Sequence, residues 1–194
     1  MRKAEISRKT TETDVTVRLS LDGSGNYAVD TGLPFFDHML ELMCRHGGFD
    51  LEVKAAGDLG VDGHHTVEDI GICLGQVLSD ALGDKKGINR YGHELVPMDD
   101  ALVLVALDLS GRAFSSVKLD LPAERLGTFE TELVDEFMRS FALQGKLNLH
   151  VRMLDGYNTH HIIEAVFKGL GRALRYAVAK DLGVRGIPST KGIL

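Results

Sequence analysis

Two stretches of the chain carry side chains that could hold a metal ion: His64, His65 and Glu68, and again His160, His161 and Glu164. Imidazole and carboxylate without thiolate suit borderline divalent ions such as manganese, iron or zinc. On a helix, residues i and i+4 share a face, so a histidine and its glutamate can address one ion. Adjacent histidines instead diverge by about 100°. Each pair is therefore poorly placed for a single ion and points to two, one on either side. Two more ligand candidates sit in shorter segments, His38 in FFDHMLE and Glu136 in LVDEFMR. The set of eight residues over two ions leaves about four ligands each, and octahedral Mn2+ would keep positions for water or substrate.

These residues occupy equivalent places in one long internal repeat. HHTVEDIGICLGQVLSDAL and HHIIEAVFKGLGRALRYAV align on the double histidine, with Leu74-Gly75 matching Leu170-Gly171. Upstream, FDLEV matches LNLHV, and LPFFDHMLELMCRHGG matches ETELVDEFMRSFALQG. Downstream, KKGIN matches VRGIP; earlier, VRLSLDG resembles VALDLSG. The boundary falls near 91–93, giving halves 1–92 and 93–194 packed as one unit. Alternation predicts strands at about 3–9, 14–21 and 25–30, and at about 93–97, 101–109 and 113–120. Each half continues with a helix, a short strand, and a long helix opening at the histidine pair. This is an α+β design, one four-stranded sheet covered by two helices, made twice. On a helical wheel the apolar stripe of the first long helix (Val67, Ile70, Leu74, Val77, Leu78 and Ala81) centres well away from His64, His65 and Glu68. The ligand trios therefore face away from their own core and need something further to face. Neither half contains GxGxxG or GxxxxGK[ST], so a nucleotide-binding doubly wound fold has no support.

Bulk properties narrow the rest. The net charge of -6 gives no general attraction to nucleic acid or to an anionic membrane. The charged start, MRKAEISRKTTETD, has no apolar core of a secretory signal, and no apolar run approaches a membrane span. Cys44 and Cys73 lie in apolar segments and read as reduced core thiols of a cytoplasmic protein. Of the other histidines, His46 lies near a helix end where a cation suits the dipole. His150 reads as a packed strand residue, and His93 has no evident partner.

LPFFDHMLE, HHTVEDIGICLG, KKGINRYG, MDDALVLVALDLSGR, THHIIEAVFKGLGRAL and GIPSTKG together resemble the imidazoleglycerol-phosphate dehydratase family, over essentially the whole chain. The resemblance implies a tandem duplication of an α+β unit of the ribosomal protein S5 domain 2 type. It implies removal of water from imidazole glycerol phosphate to give imidazole acetol phosphate, in histidine biosynthesis. It further implies two Mn2+ per active site, with Fe2+ or Zn2+ as other candidates, and a 24-subunit homo-oligomer with active sites between subunits. In this reading the metals stabilise an imidazolate, whose electron-rich ring expels the hydroxyl through a diazafulvene-like intermediate. Glu164 is similar to the carboxylate proposed as base, Glu12 to an acidic residue reaching a neighbouring subunit's site, and Asp99 to a third acidic group near substrate. Acid and base remain open among these three. Arg90, Arg112, Ser189 and Lys191 match the family's phosphate contacts, and guanidinium forks with an ammonium suit a phosphate dianion. Glu136 departs from the His of many members, and Leu42 from the Gln of some. Some members are fused to a phosphatase domain; at 194 residues this sequence is expected to show no histidinol-phosphate phosphatase activity.

Two other readings use the same residues. A non-catalytic metal-binding assembly or storage protein would not explain the phosphate cations or Glu12. A dinuclear metallohydrolase usually carries bridging aspartates, and neither histidine trio contains one.

Overall fold

The computed structural model describes residues 2–181, 183 and 186–192. The VRGIP match begins at Val184 and Arg185, which lie outside the described residues. Alternating apolar residues make β1 (Lys3–Lys9), β2 (Thr13–Ser20) and β3 (Tyr27–Asp30); α1 (Pro34–Gly47), β4 (Asp50–Gly57) and α2 (His64–Leu82) complete the first set. The order then repeats as β5 (Tyr91–Met98), β6 (Ala101–Asp108), β7 (Phe114–Lys118), α3 (Leu133–Gly145), β10 (Asn148–Asp155) and α4 (Thr159–Val178). A short hairpin, β8 (Arg125–Leu126) and β9 (Phe129–Glu130), is inserted before α3 and had no counterpart among the predicted strands. Its strands are two residues long, too short to leave a periodic signature.

Both four-stranded sheets have the same order, β1-β2-β4-β3 and β5-β6-β10-β7. In each, only the last pair is parallel. Period-two alternation sends Val15, Val17 and Leu19 of β2, and Val103, Val105 and Leu107 of β6, to the buried face.

The helices do more than cover their own sheets. α2 lies on β1 and β2 and also packs along α3; α4 lies on β5 and β6 and also packs along α1. Each helix of one half thus meets a helix of the other, and one apolar core runs through both halves. Phe36, Phe137 and Phe167, from α1, α3 and α4, meet there with ring centroids 5.3–6.3 Å apart. Each such pair contributes about 1 kcal/mol beyond simple burial. The paired Leu-Gly of the repeat acquires its reason here. A Cβ on Gly171 would lie 2.2 Å from the Met43 carbonyl oxygen of α1, and one on Gly75 would lie 2.5 Å from the Phe141 carbonyl oxygen of α3. Glycine lets both helix pairs approach backbone to backbone.

Candidate metal centre and phosphate cavity

The crossed helix pairs bring six of the eight predicted ligands, all but His65 and His161, together in two clusters, each drawing on both halves. His38 at the start of α1 joins His160 and Glu164 of α4; Glu136 of α3 joins His64 and Glu68 of α2. Within each trio the ligand atoms lie within 4.8 Å of one another. The wheel analysis expected all three polar residues of each long helix to face away from the interior. Glu164 departs from this: it is only 8% exposed, because α1 closes over that side of α4. A wheel registers only a helix's own sheet and not the second helix across the seam.

Each cluster has a basic companion. Lys168, one turn after Glu164, bonds its carboxylate at 2.6 Å, while His160 Nε2 lies 3.2 Å away. Burial pushes the Glu164 carboxyl up, but the Lys168 ammonium, aided by His160, outweighs it and holds the group below its ordinary value. Arg139 pairs with Glu136 and reaches within 3.7 Å of Glu68, and Ser140 Oγ donates to Glu136 at 2.9 Å.

The second histidine of each pair turns away from its neighbour. Ring centroids are 6.1 Å apart for His64 and His65, and 6.2 Å for His160 and His161, with planes nearly perpendicular. Each second histidine is held at Nδ1 by a carboxylate that sequence reasoning passed over. Asp58, just beyond β4, places its two oxygens 3.0 and 3.2 Å from His65 Nδ1. Asp100 places Oδ1 2.6 Å from His161 Nδ1. These hydrogen bonds raise both imidazoles above their ordinary pKa. Asp100 is itself held far below the usual carboxylate range, first by the Tyr157 and Asn158 amides and then by His161.

Glu12 and Asp99 occupy matching hairpin turns. Glu12 sits between β1 and β2, in a turn tied by Thr10 Oγ1, which accepts from the Glu12 and Thr13 amides, and lies 3.9 Å from His65 Nδ1. Asp99 sits between β5 and β6 with φ 46°, and its carboxylate is 3.5 Å from His161 Nε2. Asp99 is 71% exposed and Glu12 53%, so both are free to meet a substrate or another chain.

Arg90, Arg112, Ser189 and Lys191 line one cavity of about 580 Å3, together with Tyr91, Pro188 and Thr190. The Arg90 guanidinium is partly committed: Nε and Nη2 donate to Asp108 at 2.7 and 3.1 Å, and Nη1 to the Pro188 carbonyl. This anchors the C-terminal segment beside the start of β5. The cavity lies at the far end of α4 from the histidines, since the Arg90 amide donates to the Ala177 carbonyl. From residue 160 to 177, at 1.5 Å per residue, that separation is roughly 25 Å. A small phosphate ester does not span it, which separates the cavity from the His160 and Glu164 cluster of the same chain.

The model of the imidazoleglycerol-phosphate dehydratase family matches residues 31–174. The chain belongs to this family. It is 62% identical over 193 residues to the imidazoleglycerol-phosphate dehydratase of Desulforamulus reducens, covering 100% of this chain and 98% of that protein. It is 57% identical over 194 residues to that of Bacillus subtilis, covering 100% of both. The crystal structure of the Staphylococcus aureus dehydratase superposes with a TM-score of 0.84 at 39% identity, over 92% of this chain and 99% of that one. That of the Pyrococcus furiosus dehydratase, in complex with (S)-C348, gives 0.85 at 38% identity, over 97% and 100%.

Against the imidazoleglycerol-phosphate dehydratase pattern, the two departures have structural settings. Glu136 keeps a ligand atom within its cluster. Leu42 is half-buried against the core, as its apolar side chain requires. Three other histidines stand outside both clusters. His46 lies in the last turn of α1, where burial and the Lys168 and Arg172 cations push it below its ordinary value. His150 lies on β10 with its ring 5.4 Å from Phe114, and His93 is exposed on β5. Besides Asp58 and Asp100, sequence reasoning missed Lys168, although its spacing of four from Glu164 was a signal. Asp100 stood beside Asp99, and nothing in the sequence separated their roles. Both cysteines are free and buried, and among the described residues no helix is long and apolar enough to cross a membrane.

Proposed function

We propose that the chain is a metal-dependent hydro-lyase that dehydrates imidazole glycerol phosphate to imidazole acetol phosphate in histidine biosynthesis. Full-length identity to the curated dehydratases carries the reading, and the two His/Glu clusters supply the donors it requires. Nitrogen and oxygen donors without sulfur fit Mn2+, with Fe2+ or Zn2+ as alternatives. His64, Glu68 and Glu136 would hold one ion, and His38, His160 and Glu164 the other. His65 and His161, each oriented by an aspartate, would complete the sites of adjoining copies. Two bound ions would supply Lewis-acid polarisation of the substrate and a template for it.

The protein's own groups then do the following. Arg90, Arg112, Ser189 and Lys191 grip the phosphate and fix the substrate's far end. Glu164, held below its ordinary value by Lys168 against the effect of burial, accepts the proton from the carbon next to the one that loses its hydroxyl. Glu12 and Asp99, exposed on their turns, are the groups placed to relay a proton from solvent to the departing hydroxyl. Water leaves, and the enol so formed becomes the ketone.

The separation of roughly 25 Å along α4 supports active sites built between copies, and hence a homo-oligomer; 24 subunits is the assembly this reading adopts. Halves 1–92 and 93–194 are its repeat units. A cytoplasmic location suits the two free thiols.

The deciding experiment is a dehydratase assay after chelation and again after Mn2+ is restored, on wild type and His64→Ala. Activity should vanish on chelation and return with metal in wild type, and be absent from the variant throughout. A fully active His64→Ala protein would overturn the metal-site reading.

A further inference from the structure

Asp58 and Asp100 hold equivalent histidines, yet their surroundings differ in a way that gives them unequal duties. The Asp100 carboxylate is used on both sides: Oδ2 accepts from the Tyr157 amide at 2.7 Å and the Asn158 amide at 2.8 Å, while Oδ1 faces His161 Nδ1 at 2.6 Å. Its side chain is 12% exposed. Asp58 directs both oxygens at His65 Nδ1 and makes no other side-chain hydrogen bond among the described residues. An ionised carboxylate only accepts, so in a neutral imidazole the proton facing it must sit on Nδ1. That leaves Nε2 with its lone pair free. For His161, Nε2 is the nitrogen beside Asp99.

We propose that Asp100 is a positioning residue that fixes the Nδ1–H tautomer of His161 and so makes Nε2 its metal-ligating atom. In doing so it ties the Asp99 turn to the start of α4. The proposal rests on the reading of His161 as a metal ligand. It has a consequence that a merely structural carboxylate would not. In Asp100→Asn the amide oxygen must take the Oδ2 place, because two backbone N–H groups point there. The NH2 group must then take the Oδ1 place and donate to Nδ1. The proton moves to Nε2, the lone pair points inward, and His161 can no longer ligate. In Asp58→Asn no second set of donors dictates the orientation. The amide turns its oxygen to Nδ1–H, and the His65 tautomer survives. Near-isosteric changes at the carboxylate partners of two equivalent histidines therefore have unequal effects.

The test is Mn2+ titration of the full-length protein against a competing chelator, for wild type, Asp100→Asn and Asp58→Asn. It is joined by 15N NMR of the histidine rings in metal-free protein in alkaline buffer, with His161 assigned through His161→Gln. Asp100→Asn should weaken one class of Mn2+ site about 10–100-fold, the range seen when a ligand's orienting partner is lost, and shift the His161 proton from Nδ1 to Nε2. Asp58→Asn should weaken binding by no more than a few-fold. Equal losses in both variants, or none in either, would overturn the proposal. So would an Nε2–H tautomer at His161 in wild type, a measurement that stands even if Asp100→Asn fails to fold. Wild type that takes up no Mn2+ would instead sink the metal-site reading, and the tautomer would still decide what Asp100 does to His161.

Discussion

Gly171→Ala tests whether helix contact sets the metal cluster. The added Cβ would sit 2.2 Å from the Met43 carbonyl oxygen and 3.0 Å from the Gly47 amide nitrogen. Both are backbone atoms of α1, which no rotamer change can move. Ordinary van der Waals separation requires α1 and α4 to part by about 1 Å. Overpacking of this kind costs about 1–3 kcal/mol, and the better helix propensity of alanine returns up to about 1 kcal/mol. The net destabilisation runs from near zero to about 3 kcal/mol and centres at about 1.5 kcal/mol, a fall of roughly 3–6 °C in the melting midpoint for a chain of this size. The same displacement carries His38 away from His160 and Glu164, whereas His64, Glu68 and Glu136 sit on the other helix pair. Metal-free protein should therefore melt earlier, and Mn2+ titration should show one weakened class of site beside one unchanged. Gly60→Ala is the control: nothing lies within 4 Å of its added Cβ, so it should stay within about 0.5 kcal/mol of wild type. If Gly171→Ala melts with wild type and binds Mn2+ identically, glycine contact does not set the cluster.

Lys191→Ala should chiefly raise KM, since it removes binding to a part of the substrate that does not react; steady-state kinetics with an unchanged KM would count against the cavity as the phosphate site. The Arg2 guanidinium, and then its amide, hold the Asp22 carboxyl down at about 2. Because the folded value lies below the unfolded one, this stabilisation is present above about pH 4 and lost as pH falls through about 2. Asp22→Asn should flatten that acid limb by about 1 kcal/mol or less, given the exposure of the pair, as read from denaturant midpoints across the range. Burial pushes the Cys44 thiol up to about 12 and the Cys73 thiol up to about 11. A thiol reagent at neutral pH should therefore label neither in folded protein and both after unfolding; labelling of either in the native state would contradict the packing.

Side-chain type and spacing were enough to mark the ligands and the repeat. His-His-x-x-Glu fixes i and i+4 on one helix face whatever surrounds it, and two-residue alternation assigns the strands, because both periodicities belong to the local backbone. Motif resemblance brought Arg90, Arg112, Ser189 and Lys191 together on paper before the cavity did so in space. Contacts between distant segments were not legible. No periodicity says that His38 meets His160 rather than His64, or that Glu136 crosses to α2. That pairing follows from α1 lying on α4 and α3 on α2, which the glycines at 75 and 171 permit but do not announce. The same holds for Asp100 over Asp99: adjacent in sequence and identical in chemistry, they differ only in where a hairpin turn points them. Side-chain chemistry and spacing marked the candidates for metal, and the family resemblance marked the candidates for phosphate. Tertiary structure decided which of them share a site, because that depends on how the helices of the two halves pack, and local periodicity carries no information about it.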